Sequence, residues 1–265
     1  EKGKSAFAGP EIKGKTLAVI GLGAIGRLVA NAAVDLGMTV IGYDPFLTED
    51  AAEALKREVT VINNLDEIFP QADYITVHVP LTPDTKEMIC AANIEKMKDT
   101  VRIINLARGD LANSADIVSA LEDGRMAAYV TDFPSADLIG VDGVIPLPHL
   151  GASSPESEEN CASMGALELI DYLENGNIRN SVNLPADSIE KSGVARITVI
   201  HKNQPNMIAT ITDTISRDGI NIANFVDKNR GEVAYSIIDV DSEVSQAAVE
   251  DIKKIAGVTR VRVIK

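Results

Sequence analysis

The chain has 265 residues, 45% of them hydrophobic and 24% charged, with a net charge of −14, the composition of an ordinary globular protein. No apolar run reaches the ~20 residues a membrane helix needs, and an acidic balance is the wrong sign for meeting nucleic-acid phosphates, so neither a membrane nor a nucleic acid is expected as a partner. Two cysteines, Cys90 and Cys161, make no disulfide framework or zinc site, and they fit a reducing, cytoplasmic setting with no metal.

In chain order, strands are predicted at 17–21, 39–43, 74–79, 102–106 and 127–131, with a short one at 144–145. Helical patterns run over 24–36, 49–57, 65–69, 91–96, 114–122 and 155–174. Gly37 stands where a left-handed helix cap belongs, and Asn113 is placed to cap the helix that begins at Ser114. Strands alternating with helices specify α/β architecture, a doubly wound parallel sheet built from βαβ units. A polar stretch punctuated by Pro185 and Gly193 then reads as a linker over 181–193. The charge changes there, from net −15 over 1–193 to net +1 over 194–265. Beyond it come a strand (195–201), a helix (207–218), two strands (220–227 and 232–239), a helix (245–255) and a strand (258–264). That βαββαβ order is the ferredoxin-like split βαβ unit. The expected organisation is a nucleotide-binding domain over 1–180, ending in the helix 155–176, then the linker and a second domain over 194–265.

Gly21-Leu22-Gly23-Ala24-Ile25-Gly26 follows an apolar strand and opens a helix. The first glycine makes the tight turn, the second lets backbone amides approach a pyrophosphate, and the third allows close helix–strand packing. Asp44 ends the next strand, 18 residues after Gly26, where an acidic group accepts from a ribose 2′-hydroxyl and repels a 2′-phosphate. NAD rather than NADP is the expected cofactor. Further features fall at the ends of later strands, where open α/β sheets place ligands: His78-Val79-Pro80-Leu81-Thr82, Leu106-Ala107-Arg108-Gly109, Asp132 and Pro148-His149-Leu150-Gly151-Ala152. Hydride transfer to a ketone needs a proton donor at the oxygen, a role that suits His149. Arg108 has the donors for a bidentate grip on a carboxylate. Taken singly, Arg108 also fits a surface ion pair and His149 a loop hydrogen-bonder.

With these motifs in this order, the chain resembles the D-2-hydroxyacid dehydrogenases, and its last unit resembles an ACT domain. The combination is similar to the members of that family that oxidise 3-phosphoglycerate to 3-phosphohydroxypyruvate at the start of serine synthesis. The resemblance implies that His149 is the acid/base, that Arg108 holds the substrate carboxylate, and that an acidic residue orients the histidine. Asp137 stands at that acidic position, where the family has a Glu. The cofactor set implied is Gly21, Gly23, Ala24, Ile25, Gly26, Asp44, His78, Val79, Pro80, Thr82, Leu106, Ala107, Arg108, Asp132, His149, Gly151 and Ala152. The resemblance further implies a homodimer or homotetramer, with L-serine bound by His201, Asn203 and Asn221 at an interface between ACT units. Those three residues are expected at one end of the sheet, beside the helix that starts at Met207, with Asn206 standing where the family often has Gly.

In the family a substrate-binding domain is built mostly from residues before the nucleotide-binding domain, whereas only residues 1–15 precede the first strand here. The chain is therefore expected to be a fragment with little turnover by itself. Cys161, Met164, Leu167, Leu169, Ile170 and Leu173 on the helix 155–174 should need an apolar partner. The alternatives are a dehydrogenase for another 2-hydroxy acid, or a non-catalytic module that binds NAD and senses an amino acid.

Overall fold

The computed structural model describes residues 8–265, so the start of the expected nucleotide-binding domain, residues 1–7, lies outside the described residues. Contacts divide the chain into two compact units that meet between Leu150 and Gly151. The first contains β1 (Thr16–Ile20), α1 (Gly26–Asp35), β2 (Thr39–Tyr43), α2 (Glu49–Glu53), β3 (Val59–Val61), α3 (Leu65–Ile68) and β4 (Tyr74–Val77). It continues with α4 (Ala91–Ile94), β5 (Arg102–Asn105), α5 (Ser114–Glu122), β6 (Ala128–Thr131) and β7 (Val144–Pro146). The seven strands form one parallel sheet in the order β3-β2-β1-β4-β5-β6-β7.

The sequence of β1 explains its central place. Ala18 and Ile20 join one apolar cluster with Ile75, Val77, Ile103 and Tyr129, while Leu17 and Val19 join another with Leu22, Ala30 and Val40. A strand covered on both faces needs an unbroken apolar run rather than alternation. Because β2 and β4 flank β1 on opposite sides, the connections diverge at its C-terminal end and open the crevice where such sheets bind ligands.

Local signals hold where they are strong. Asn113 caps α5 by accepting from the Asp116 amide at 3.2 Å, and Gly37 takes the left-handed conformation after α1, with φ +78°. The helix predicted over 49–57 stops at Glu53 for a non-local reason. Asn31 on α1 donates to the Ala54 carbonyl at 2.9 Å and accepts from the Lys56 amide at 2.8 Å, capturing the backbone that the last turn would have used. The three-residue β3 is absent from the sequence reading because it is a half-exposed edge strand, too short for its periodicity to register.

The second unit contains α6 (Pro155–Asn175), β8 (Ala195–Lys202), α7 (Met207–Arg217), β9 (Ile222–Arg230), β10 (Val233–Val240), α8 (Gln246–Lys253) and β11 (Val258–Ile264). Its antiparallel sheet runs β11-β8-β10-β9. Ile211, Ile215, Val249 and Ile252 of α7 and α8 pack on Ile197, Val199, Ile238 and Val240. Asn206 leads into α7 in the left-handed conformation, φ +68°, a geometry Asn tolerates.

The opposite face is covered by residues read from the sequence as helix end and linker. Tyr172, Ile178, Leu184 and Ile189 pack there with Tyr235, Ile237 and Ile200, and Pro185 and Asp187 are buried. Polar composition suggested a free connector, but an antiparallel sheet with two apolar faces has to cover both. By its contacts α6 groups with this second unit rather than with the nucleotide-binding unit. Met164, Leu167, Leu169, Ile170 and Leu173 on α6 stay about half exposed.

Candidate functional site

The glycine loop after β1 has a separate requirement at each glycine. Gly21 has φ +93°, and a Cβ on it would approach the His78 carbonyl to 2.7 Å. A Cβ on Gly26 would overlap the Gly21 carbonyl, whereas one on Gly23 would meet nothing within 4 Å. The first and third glycines are thus demanded by the protein, and the second leaves open room for a ligand. Helix α1 begins after Ile25, which gives it no side-chain cap, and has no acidic residue in its first turn, so its positive end is free for an anion.

Asp44, at the end of β2, ties this loop together. Its carboxylate accepts from the Leu22 and Phe46 amides, each at 2.9 Å, and stays half-exposed, with lone pairs left for further donors. His78 follows β4, its Nε2 3.0 Å from the Thr76 hydroxyl. Burial pushes its pKa below the ordinary histidine value, which keeps the ring neutral. The Val79–Thr82 stretch is braced by Thr85, whose hydroxyl donates to the Pro80 carbonyl at 2.6 Å and accepts from the Thr82 amide at 2.8 Å.

After β5, Leu106 and Ala107 lead to Arg108, which is exposed. Its guanidinium donates to the Ala107 carbonyl at 2.6 Å and makes no ion pair among the described residues. The buried Asn105 holds this turn by donating to the Arg108 carbonyl at 2.9 Å and the Tyr129 hydroxyl at 3.1 Å. In the sequence Asn105 opens the Asn105–Gly109 motif but has no role assigned to it, although a polar residue closing an apolar strand is a visible signal. Arg108, Tyr129, Phe133 and Leu138 line a cleft of about 460 Å³.

His149 follows β7, and its Nδ1 lies 2.9 Å from Oδ2 of Asp132, one residue beyond β6. Its ring also packs on Phe133, centroid to centroid 4.5 Å. Asp132 is 9% exposed, and its Oδ1 is buried with no hydrogen-bond partner, an acceptor awaiting a donor from outside the chain. The carboxylate beside His149 is therefore Asp132, in place of the Asp137 implied by resemblance. Asp137 is exposed and forms no ion pair among the described residues, next to the buried Leu138 that anchors the loop. Gly151 and Ala152 are exposed and open the second unit.

The three residues expected to gather in the second unit do not meet within one chain. His201 pairs with Ala234 at one end of β10, whereas Asn221 precedes Ile222, which pairs with Val240 at the other end. Strands β8 and β9 both run antiparallel to β10, so the end of one and the start of the other lie at opposite edges. Asn203 donates to the Gly231 carbonyl at 3.0 Å and Asn221 to Asp241 at 2.5 Å. Among the described residues no helix is long and apolar enough to cross a membrane.

The family model "D-isomer specific 2-hydroxyacid dehydrogenase, NAD binding domain" matches residues 2–151. The D-3-phosphoglycerate dehydrogenase of Escherichia coli (strain K12) is 31% identical over 98% of this chain and 66% of its own length. That of Bacillus subtilis (strain 168) is 38% identical over 76% of this chain and 39% of its length. The chain spans 65% of the Haemophilus influenzae protein of the same name, at 30% identity. Among solved structures, D-lactate dehydrogenase with NAD+ from Lactobacillus jensenii superposes with a TM-score of 0.58 at 28% identity, covering 69% of this chain and 58% of that one. With its glycine loop, Asp44 and strand-end residues carried on a matching parallel sheet, the chain belongs to the D-isomer specific 2-hydroxyacid dehydrogenases, whose NAD-binding domain it contains.

Proposed function

We propose that this chain forms the cofactor-binding and regulatory part of an NAD-dependent dehydrogenase that oxidises 3-phosphoglycerate to 3-phosphohydroxypyruvate. The observation that carries the reading is the cluster at the ends of β5, β6 and β7. Arg108 and Phe133 line one cleft, and His149 stacks on Phe133 while touching Asp132. NAD, when bound, supplies the hydride acceptor. The open space over Gly23 and the uncapped start of α1 would receive the pyrophosphate, and the spare lone pairs of Asp44 would accept from the adenosine ribose. The unpartnered Oδ1 of Asp132 would accept from the carboxamide N–H. Arg108 grips the substrate carboxylate through paired N–H donors, and His149 takes the proton of the 2-hydroxyl as the hydride leaves. The names of the relatives support phosphoglycerate as the substrate, and the βαββαβ order of the second unit is the feature on which L-serine is read as an effector held between two copies of the chain.

Calorimetry with NAD and NADP tests the cofactor half of this reading. NAD should bind in clear preference, because a 2′-phosphate would face the Asp44 carboxylate. Asp44→Ala should weaken NAD binding by about 1.5–3 kcal/mol, the scale of a hydrogen bond to a charged group. Equal affinity for the two cofactors would overturn the assignment of Asp44.

A further inference from the structure

The strap that covers Tyr235 and Ile237 in the second unit turns one ionisable side chain inward. Pro185 and Asp187 are buried while Ala186 and Ser188 are exposed, which leaves the Asp187 carboxylate beneath the strap, 1% exposed. Both of its oxygens are buried with no hydrogen-bond partner among the described residues. The one cation within ion-pair reach among those residues is Lys228, whose Nζ stands 4.0 Å from Oδ1 on a side chain that is 56% exposed. Strand β9 also supplies Asp227, of like charge, and β8 supplies Arg196, already bonded to Asp239. From β10 comes Tyr235, whose hydroxyl donates to the Gly176 carbonyl at 2.6 Å, and Tyr172 of α6 packs on the same face.

The strap is tied at both ends. The Arg196 guanidinium holds the Asn175 and Ile189 carbonyls at 2.7 and 3.2 Å. Between them, Ile178 and Asp187 exchange backbone hydrogen bonds at 2.7 and 3.0 Å. We propose that residues 177–188 are a proton-operated latch: with Asp187 protonated they lie closed on the sheet, and loss of that proton opens them between the two carbonyls that Arg196 grips. A buried carboxylate that no donor meets is far costlier than a neutral carboxyl in the same place. Opening lets it hydrate. Burial pushes the Asp187 pKa up to about 6, with Lys228 opposing the rise and Asp227 adding to it. A carboxyl whose folded pKa is raised favours the closed strap fully below pH 3.8, and that contribution is lost as pH climbs through about 6. Asn183 and Leu184 on the same strap wall a cleft of about 720 Å³ with His201 and Asn203, so opening takes away one side of it. The latch does not depend on what that cleft binds.

Amide hydrogen exchange on the whole chain tests the latch, each rate being divided by its intrinsic rate at the same pH so that protection alone is compared. Ile178 is the reporter, because its amide is bonded to the Asp187 carbonyl only while the strap is closed. Local opening should leave Ile178 less protected than the amides of β8 and β10, which exchange when the unit unfolds. The expected result is a fall of about tenfold in Ile178 protection from pH 5 to pH 7.5, the size set by a carboxyl with a pKa of 3.8 when open and about 6 when closed. Asp187→Asn cannot ionise and should remove that fall, whereas a change driven by His201 would survive in it. Three results would each overturn the proposal: Ile178 protection equal to that of β10 at pH 7.5, protection unchanged between the two pH values, or the same fall in Asp187→Asn. Should that variant fail to fold, Lys228→Met takes its place. Removing the cation raises the closed-state pKa and shifts the fall to higher pH, and an unshifted fall would overturn the latch as well.

Discussion

His201 is 2% exposed and has acceptors at both ring nitrogens. Nδ1 lies 2.9 Å from the Lys202 carbonyl, and Nε2 lies 2.9 Å from Asp227 Oδ1, whose other neighbour, the Ser236 hydroxyl, donates to it at 2.6 Å. Doubly protonated, the ring donates to both of these acceptors, with the Ser236 hydroxyl also 3.0 Å from Nε2. Burial acts against the charge, but the hydrogen bonds to Asp227 and Lys202 outweigh it and raise the pKa above the ordinary 6.5. A cation whose folded pKa is raised contributes stability that is complete below pH 6.5 and is lost as pH climbs through the folded value. The urea midpoint of the second unit should therefore fall as pH rises from 6.5 toward 9, and Asp227→Asn should flatten that slope. A midpoint independent of pH in the unsubstituted chain would refute this account of His201. Sequence marked this residue as a ligand group, because donor and acceptor type is legible there. That Nε2 is met from β9 and β10 is not.

At the scale of elements, the end of α6 and residues 176–192 are locked to the sheet through one buried ion pair. Arg196 and Asp239 are 0% exposed and bonded twice, Nε to Oδ1 at 2.6 Å and NH2 to Oδ2 at 2.9 Å. The remaining guanidinium nitrogen donates to the Asn175 carbonyl at 2.7 Å and the Ile189 carbonyl at 3.2 Å, and the Ser192 amide donates to Asp239 at 2.9 Å. Burial disfavours the Asp239 carboxylate, yet the bonds from Arg196 and Ser192 prevail and hold its pKa below the usual 3.8. This contribution to stability is present above pH 3.8 and is lost as pH falls through the depressed value. Asp239→Ala should destabilise the second unit by roughly 3–5 kcal/mol, because it strands a buried guanidinium. The double replacement Arg196→Met with Asp239→Leu should recover most of that loss in a urea melt. Equal losses in the single and double variants would show that the pair does not matter as a unit.

For the whole molecule, sheet topology decides what one copy can bind. From Ala234 to Val240 is six residues along β10, about 20 Å at roughly 3.3 Å each. A single small zwitterion cannot reach from the His201–Asn203 end to Asn221 in the same chain, so the proposed serine site requires a second copy. Asn203→Ala and Asn221→Ala chains should each lose serine-dependent NMR shifts alone and regain a fraction when mixed, since mixed pairs restore one intact site. Absence of any shift in the unsubstituted chain at millimolar serine would leave the second unit without this role. The measurement needs the whole chain. Cutting at residue 194 would uncover Tyr235 and Ile237 and remove the backbone carbonyls that Arg196 uses.

The amino-acid sequence by itself determined whatever depends on short-range geometry. The βαβ alternation, the three glycines of the loop after β1, the Asn113 cap, the left-handed Gly37 and the βαββαβ order are all encoded within a turn or a strand of the residues that need them. Tertiary structure alone decided which aspartate meets His149, where α2 stops, that residues 181–193 cover a sheet, and that Asn221 lies across the sheet from His201. The physical reason is common to these cases. Each depends on which strands or helices become neighbours, and adjacency in a sheet is set by crossovers and burial, which spacing along the chain does not record.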